Sequence, residues 1–279
     1  MNKILICTDL DRTLIPNGKQ PESPGAMACF RQLAACEHVK LAYVSGRHRT
    51  LIKEAIAEFD LPVPDFVIAN VGTTLYEIRG NRWEESSAWD QTIAPDWHDL
   101  TPAELNRKLA GFPELSLQEA EKQSRHKLSF YVSAKINSNT LLDAIRTQMN
   151  LDGIRANLIW SIDEMTGLGL LDILPAGANK LHALEFLMQQ QGYTFGNTVF
   201  SGDSGNDLEI FVSPVKSTVV ANADPELKQT TALQAPPGSF YLARGGYLGM
   251  NGNYSAGILE GLAHYLPEVD AWLQQQCGD

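Results

Sequence analysis

Ile4-Leu5-Ile6-Cys7-Thr8-Asp9-Leu10-Asp11-Arg12-Thr13 runs from an unbroken apolar segment straight into two carboxylates two residues apart. Ile4 to Cys7 offers water no polar side chain, which suits a strand covered on both faces, as in a parallel sheet. Such sheets bind ligands just beyond the carboxyl ends of their strands, so Asp9 and Asp11 stand where chemistry is expected. Two carboxylates turned into one site repel, and a cation or a proton should sit between them. One could then attack phosphorus while the other holds a proton for the leaving oxygen. Taken alone, the pattern also fits a turn or a helix cap, for which Asp and Thr are suited.

Outward from this stretch, strand and helix signals alternate. Met27, Phe30, Leu33 and Ala34 place a helix over 24–36, and Leu51, Ile52, Ala55, Ile56 and Phe59 place another over 49–59. Leu41–Val44 and Phe66–Ala69 read as strands, and strands separated by helices imply crossovers and a parallel sheet. The alternation resumes late in the chain, with a helix over 180–191, a strand at Thr198–Phe200, a short helix from Leu208, a strand at Ser217–Val220 and a helix from Ser255 to Leu266. Between these halves the pattern changes. Arg79-Gly80-Asn81 is a turn signal, 83–126 is polar with three tryptophans, and Lys127 to Ser133 alternates like a half-exposed strand. A helix at 138–149 and strand-like runs at 155–162 and 168–174, around Met165-Thr166-Gly167, complete a small antiparallel α+β unit. The predicted fold class is α/β, a doubly wound Rossmann-like parallel sheet over 1–82 and 177–279, with an α+β domain inserted at 83–176.

Three further motifs fall at matching places. Val44-Ser45-Gly46-Arg47 follows the second strand, where a hydroxyl and backbone N–H groups at a helix start suit a phosphate, and Gly46 allows close backbone approach. Asn179 is a fitting N-cap, but Lys180 in the first turn opposes the helix dipole, a conflict that a bound anion would resolve. Gly202-Asp203-Ser204-Gly205-Asn206-Asp207 puts two more carboxylates beyond a buried strand, an oxygen-rich set of the kind magnesium takes. Each motif has an ordinary reading as a turn, a cap or a solvated lysine. Four in order, three beyond buried strands and one opening a helix, converge on one crevice if the strands are neighbours.

Composition bounds the function. The 279 residues, 44% hydrophobic and 20% charged, are those of a folded protein of one large or two modest domains. The net charge of −11 argues against nucleic-acid or anionic-membrane partners, while local cations can still hold a phosphate. Cys7, Cys29, Cys36 and Cys277 form no CxxC pair and read as reduced thiols of a cytoplasmic protein, and the six histidines show no zinc spacing. The run at Ile4–Cys7 is too short for a signal segment or a membrane span.

The motifs around Asp9, Ser45, Lys180 and Asp203 resemble those of the haloacid dehalogenase superfamily of phosphohydrolases. Within it, Tyr43–Arg47, Val71–Tyr76, Lys127–Tyr131, Leu171–Pro175 and Ser255–Tyr265 resemble the sucrose-phosphate phosphatases. The resemblance implies that Asp9 is the nucleophile and becomes a phosphoaspartate, and that Asp11 protonates the leaving hydroxyl and then activates water. It implies that Ser45, Gly46 and Lys180 hold the phosphoryl oxygens and that Asn206 positions the phosphate. Magnesium is the implied cofactor, held by Asp9, the backbone carbonyl of Asp11 and Asp203, with Asp207 in support. The insertion falls where the superfamily places its larger cap, and Arg12 replaces the Asn or Gly frequent at that position. Asn70, Gly72, Lys127 and Tyr131 are candidate substrate contacts, while Trp160 reads as cap core. The implied reaction converts sucrose 6-phosphate to sucrose and phosphate. Mannosylfructose phosphate, mannosyl-3-phosphoglycerate and trehalose 6-phosphate stay open as substrates, as does a phosphomannomutase-like reaction. The implied partners are a small phosphorylated sugar and, as an open case, a sugar-phosphate synthase, with a monomer or weak dimer expected.

Overall fold

The computed structural model describes residues 3–133, 135–163 and 166–278, so Met165 of the expected 165–167 turn lies outside the described residues. Among the described residues, twelve strands form two sheets. In chain order they are β1 (Ile4–Thr8), β2 (Val39–Val44), β3 (Phe66–Ala69), β4 (Thr74–Arg79), β5 (Arg82–Glu85), β6 (Ser116–Leu117), β7 (Leu128–Val132), β8 (Ala156–Ile162), β9 (Gly169–Pro175), β10 (Thr198–Gly202), β11 (Lys216–Val219) and β12 (Phe240–Leu242). The large sheet has the order β12-β11-β10-β1-β2-β3-β4-β5, parallel from β12 to β3 and antiparallel beyond. The helices are α1 (Ala26–Ala34), α2 (Arg49–Glu58), α3 (Ser87–Ile93), α4 (Pro102–Lys108), α5 (Ser138–Leu151), α6 (Lys180–Gln191), α7 (Leu208–Phe211), α8 (Pro225–Gln234), α9 (Ser255–Tyr265) and α10 (Pro267–Cys277).

Every residue of β1 and β10 is buried, the result expected of apolar runs lying in mid-sheet. The register sets Thr8 opposite Ser201 on one side and Tyr43 on the other, so Asp9, Gly202-Asp203 and Val44-Ser45 emerge together along one edge. The chain leaves β1 toward β2 and later returns through β10 on the other flank, which makes this edge a topological switch point.

The small sheet, β6-β7-β9-β8, is antiparallel and has its own apolar core, in which Trp97, Phe130, Ile145, Leu171 and Ile173 are buried. Trp160 packs against this cluster, in keeping with its reading as cap core. The hairpin β4–β5 is a difference from the sequence reading. It extends the large sheet, so the expected junction between 82 and 83 falls inside β5. Tyr76 and Trp83 meet edge-on across it, and Trp89 and Ile93 of α3 are buried in the larger core. The polar composition of this stretch concealed a packing that rests on a few large aromatic side chains.

The expectation of four reduced thiols is corrected. Cys29 of α1 and Cys277 at the end of α10 form a disulfide across 248 residues, while Cys7 and Cys36 remain free. Sequence spacing could not show it, because it depends on α10 folding back against α1. Among the described residues no helix is long and apolar enough to cross a membrane.

The crosslink is open to test. Alkylation of the denatured, unreduced protein should label Cys7 and Cys36 and spare the other two. Cys277→Ser should lose about 2–4 kcal/mol of stability in oxidising buffer and match the wild type under reductant. Equal midpoints in oxidising buffer would show that the bond does not form.

Candidate active site

Asp9 follows β1 with its backbone N–H bonded to Ser201 O at 2.9 Å, and its side chain is almost wholly buried. Asp9 Oδ1 accepts from Lys180 Nζ at 3.1 Å, and no partner engages Oδ2 among the described residues. Lys180 also donates to Asn206 Oδ1 at 2.9 Å and to Asp207 Oδ1 at 2.6 Å. An ammonium has three donors, and all three are used. The conflict between Lys180 and the α6 dipole is therefore answered by the protein's own carboxylates. Asn179 caps α6, its Oδ1 accepting from His182 N at 2.6 Å. Burial pulls the Lys180 ammonium down, but Asp207 and Asp9 outweigh it and the net shift is upward.

Asp203 and Asp207 follow β10. Asp203 Oδ1 accepts from Thr13 Oγ1 at 3.2 Å, and Oδ2 is buried without a hydrogen-bond partner. Gly202 is needed for this arrangement, since a Cβ there would lie 2.5 Å from Asp207 Oδ2. Asp9, Asp203 and Asp207 each offer a carboxylate oxygen within 4.8 Å of the others, all three residues buried. Burial raises the Asp203 carboxyl to about 7, with Asp207 adding to it and Arg12 and Thr13 opposing. Burial likewise raises Asp9, against Lys180 and with Asp207 and Asp203 reinforcing the shift. Three crowded carboxylates, with one oxygen lacking a hydrogen bond, form an all-oxygen donor set that fits a hard divalent cation.

Asp11 lies apart from that trio. Its carboxylate accepts from Arg47 Nε at 2.8 Å and Arg47 Nη2 at 2.6 Å, and from Asn17 Nδ2 at 2.7 Å. Burial raises the Asp11 carboxyl, but the Arg47 and Asn17 bonds outweigh it and the net shift is downward. Arg47 reaches it from the loop after β2, where Ser45 is buried and its Oγ accepts from Arg47 N at 3.2 Å.

The loop after β3 locks these parts together. Asn70, Val71 and Gly72 all have positive φ, 51°, 61° and 99°, a strained run for a β-branched residue. Val71 N bonds Ser45 O at 3.1 Å, Asn70 N bonds Arg47 O at 3.0 Å, and Trp89 Nε1 donates to Gly72 O at 3.0 Å. Gly72 abuts the start of α6, so closely that a Cβ would lie 2.2 Å from Asn179 C.

A cavity of about 370 Å³ opens above this floor. Of the sequence-predicted residues, Asp9, Asp11, Ser45, Gly46, Asn70, Lys127, Asp203 and Asn206 line it. Lys180 and Asp207 lie beneath the floor, and Gly72 is behind it. Tyr131 is not brought to the cavity, and its hydroxyl donates to Glu119 Oε2 at 2.9 Å. The small sheet supplies the roof, where Gln118, Lys122, Ser161 and Asp172 join Lys127. Lys127 Nζ lies 3.3 Å from Asp172 Oδ2, and Ser129 Oγ donates to Asp172 Oδ1 at 2.6 Å. The sequence reading missed Asp172, Gln118 and the grips of Arg12 and Arg47. The one available signal was that Lys127 and Asp172 both fall in segments that resemble those of the sucrose-phosphate phosphatases.

A parallel sheet with paired aspartates after β1, a hydroxyl after β2 and a lysine and acidic loop closing the far flank define a haloacid dehalogenase-like hydrolase. More narrowly, residues 2–266 match the sucrose-6F-phosphate phosphohydrolase family, and the chain belongs to that family of phosphoric monoester hydrolases. A Nitrosococcus oceani protein described as an HAD-like hydrolase is 49% identical over 275 residues, 98% of this chain and 74% of that protein. Sucrose-phosphatase 1 of Nicotiana tabacum is 34% identical over 240 residues, 84% of this chain. The chain spans about half the length of this relative, 53%. The sucrose-phosphatase of Synechocystis, solved with sucrose and phosphate, superposes with a TM-score of 0.75 at 25% identity, over 95% of this chain and 98% of that one.

Removing the central cation should be costly. Lys180→Ala leaves Asp9 and Asp207 buried without their counter-ion and should lower stability by about 3–5 kcal/mol in metal-free buffer, measured by urea unfolding. A loss below about 1 kcal/mol, the level of an exposed pair, would show that the contacts are not made.

Proposed function

We propose that this chain hydrolyses sucrose 6-phosphate to sucrose and phosphate, with Mg2+ as cofactor, and that the small sheet and its helices act as the specificity cap. The observation that supports this most is Asp9, with one oxygen pinned by Lys180 and the other unpartnered, at the floor of a cavity with a polar roof. In this reading Asp9 Oδ2 attacks phosphorus, the bond from phosphorus to the sugar oxygen breaks, and Asp11 gives that oxygen its proton. Water then attacks the phosphoaspartate while Asp11 takes the water's proton, which frees phosphate and regenerates Asp9. Arg47 keeps Asp11 ionised, the state required of the base. To act as the acid, the carboxyl must leave the guanidinium and gain a proton. In this reading Ser45, the Gly46 backbone and Asn206 orient the phosphoryl oxygens, which their position on the cavity wall supports. Asp9, Asp203 and Asp207, with the backbone carbonyl of Asp11, would hold magnesium, which supplies the positive charge that keeps Asp9 ionised and offsets the phosphoryl group.

The roof is where the sugar is read. Lys127 donates and Asp172 accepts, so the pair can meet two neighbouring hydroxyls, and Asn70 faces the same space. The chain is also 25% identical over 262 residues to the glucosylglycerol-phosphate synthase of Pseudomonas anguilliseptica, with 94% of this chain covering 31% of that protein. That similarity supports other glycosyl phosphates as alternative substrates and a sugar-phosphate synthase as a physical partner.

The test is phosphate release, with Mg2+, from sucrose 6-phosphate, trehalose 6-phosphate, mannosyl-3-phosphoglycerate, mannosylfructose phosphate and hexose monophosphates. Sucrose 6-phosphate should turn over fastest, EDTA should abolish release and Mg2+ should restore it. Asp9→Asn should fall by a factor of about 1,000 or more, as expected when a covalent nucleophile is lost. Inactivity of the wild type on every ester would sink the proposal, and an isomer in place of free phosphate would point to a mutase. Lys127→Met should raise KM for sucrose 6-phosphate about tenfold, the worth of one charged hydrogen bond, and leave a small aryl phosphate unaffected. Equal losses on both esters would remove Lys127 from sugar recognition.

A further inference from the structure

We propose that Arg12 competes with the divalent cation for Asp203 and thereby sets the metal affinity of the site, an inference that rests on the metal-assisted reading above. Arg12 Nε lies 3.3 Å from Asp203 Oδ2. The contact is within ion-pair range, yet that oxygen has no aligned hydrogen bond. The attraction is therefore coulombic and without directional lock, the kind another cation displaces most readily. Asp203 belongs to the buried trio whose oxygens lie within 4.8 Å of one another. Lys180 engages Asp9 and Asp207 directly, which leaves Asp203 with Arg12 as its ion-pair partner and Thr13 as its hydrogen-bond donor. A guanidinium and a metal ion cannot both sit against the same face of the same carboxylate.

The backbone holds Arg12 in position for this contest. Its φ is 58°, a left-handed conformation that Asn or Gly adopts with less strain. Arg12 N donates to Asn17 Oδ1 at 2.8 Å, and Arg12 O accepts from Asn222 Nδ2 at 2.6 Å. Asn222 is itself fixed, its Oδ1 accepting from Tyr254 N at 2.9 Å. The residue is thus clamped at both peptide groups, while its side chain is 37% exposed and borders the cavity. Arg12 keeps the three carboxylates compatible before metal enters and must give way when it does. Metal binding becomes weaker and more readily reversed than the carboxylates alone would make it.

The test is calorimetric titration of Mg2+ into the metal-free full chain, with thermal melts in EDTA and in saturating Mg2+. Arg12→Asn suits the backbone, so it should fold, and Arg12→Gly repeats the test should it not. Either should bind Mg2+ about three- to tenfold more tightly, the range for one partly exposed ion pair with a buried partner. Either should also melt below the wild type in EDTA and approach it in saturating Mg2+. Arg12→Lys, which keeps the charge, should stay within about twofold of the wild type. Wild-type Mg2+ affinity in the Asn and Gly variants, with only KM for substrate raised, would overturn the inference, make Arg12 a substrate contact and leave the metal reading standing. The same tightening in Lys122→Gln, which removes a cavity cation that does not touch Asp203, would overturn it as well. Absence of Mg2+ binding in wild type and variants alike would overturn this inference and the metal reading together.

Discussion

Four carboxylates crowd one edge of one sheet, and the structure is organised around making that tolerable. Asp9, Asp203 and Asp207 are buried, and Asp11 stands at the rim. Water cannot screen the inner three, so their repulsion has to be met by fixed cations. Lys180 is buried for this reason, its three donors divided between Asp9, Asp207 and Asn206. A lysine at the first turn of a helix is poorly placed in isolation. Here two carboxylates hold it there, and the position that looked frustrated in sequence proves to be the centre of the network.

Much of the fold follows from keeping that lysine in place. It arrives at the site only because β9 hands the chain back to α6, so the small sheet ends immediately before the residue that neutralises Asp9. The 70–72 loop presses on the start of α6, and Trp89 binds the same loop from the side that leads out toward the small domain. Both connections between the two sheets therefore run beside the floor of the cavity. The small sheet buries its own separate core. Its cavity-facing side chains can then vary without disturbing the floor, which is how one chemistry can serve different esters.

The sequence made the four motif sites legible because buried parallel strands appear as uninterrupted apolar runs, and abrupt charge at the end of such a run has few structural excuses. Ile4–Asp11 and Thr198–Asp207 are the clearest cases. What stayed hidden depended on long-range partners. Trp83 and Trp89 stand in a polar stretch of sequence, yet they pin a hairpin and a helix onto the large sheet. Cys29 and Cys277 are 248 residues apart, and nothing local marks them as a pair. Tyr131 is a candidate sugar contact in the sequence, but its hydroxyl is bound by Glu119. Arg47 was visible within its motif, but its bidentate hold on Asp11 is a property of loop geometry that no local pattern encodes.

Charge also constrains the order in which ligands arrive. Four carboxylates face Lys180, Arg12 and Arg47, so one negative charge is left uncompensated if all four ionise. A phosphate dianion approaching that floor is repelled. Either a proton or a divalent cation must first complete the balance, and burial pushes the Asp9 and Asp203 carboxyls upward, in the direction of the proton. A protonated Asp9 cannot attack phosphorus. A bound divalent cation would offset the floor's remaining negative charge and make the proton on Asp9 unfavourable. In the proposed reaction metal entry is therefore a condition for substrate binding as well as for chemistry, because the same added charge that admits the phosphate also frees the nucleophile.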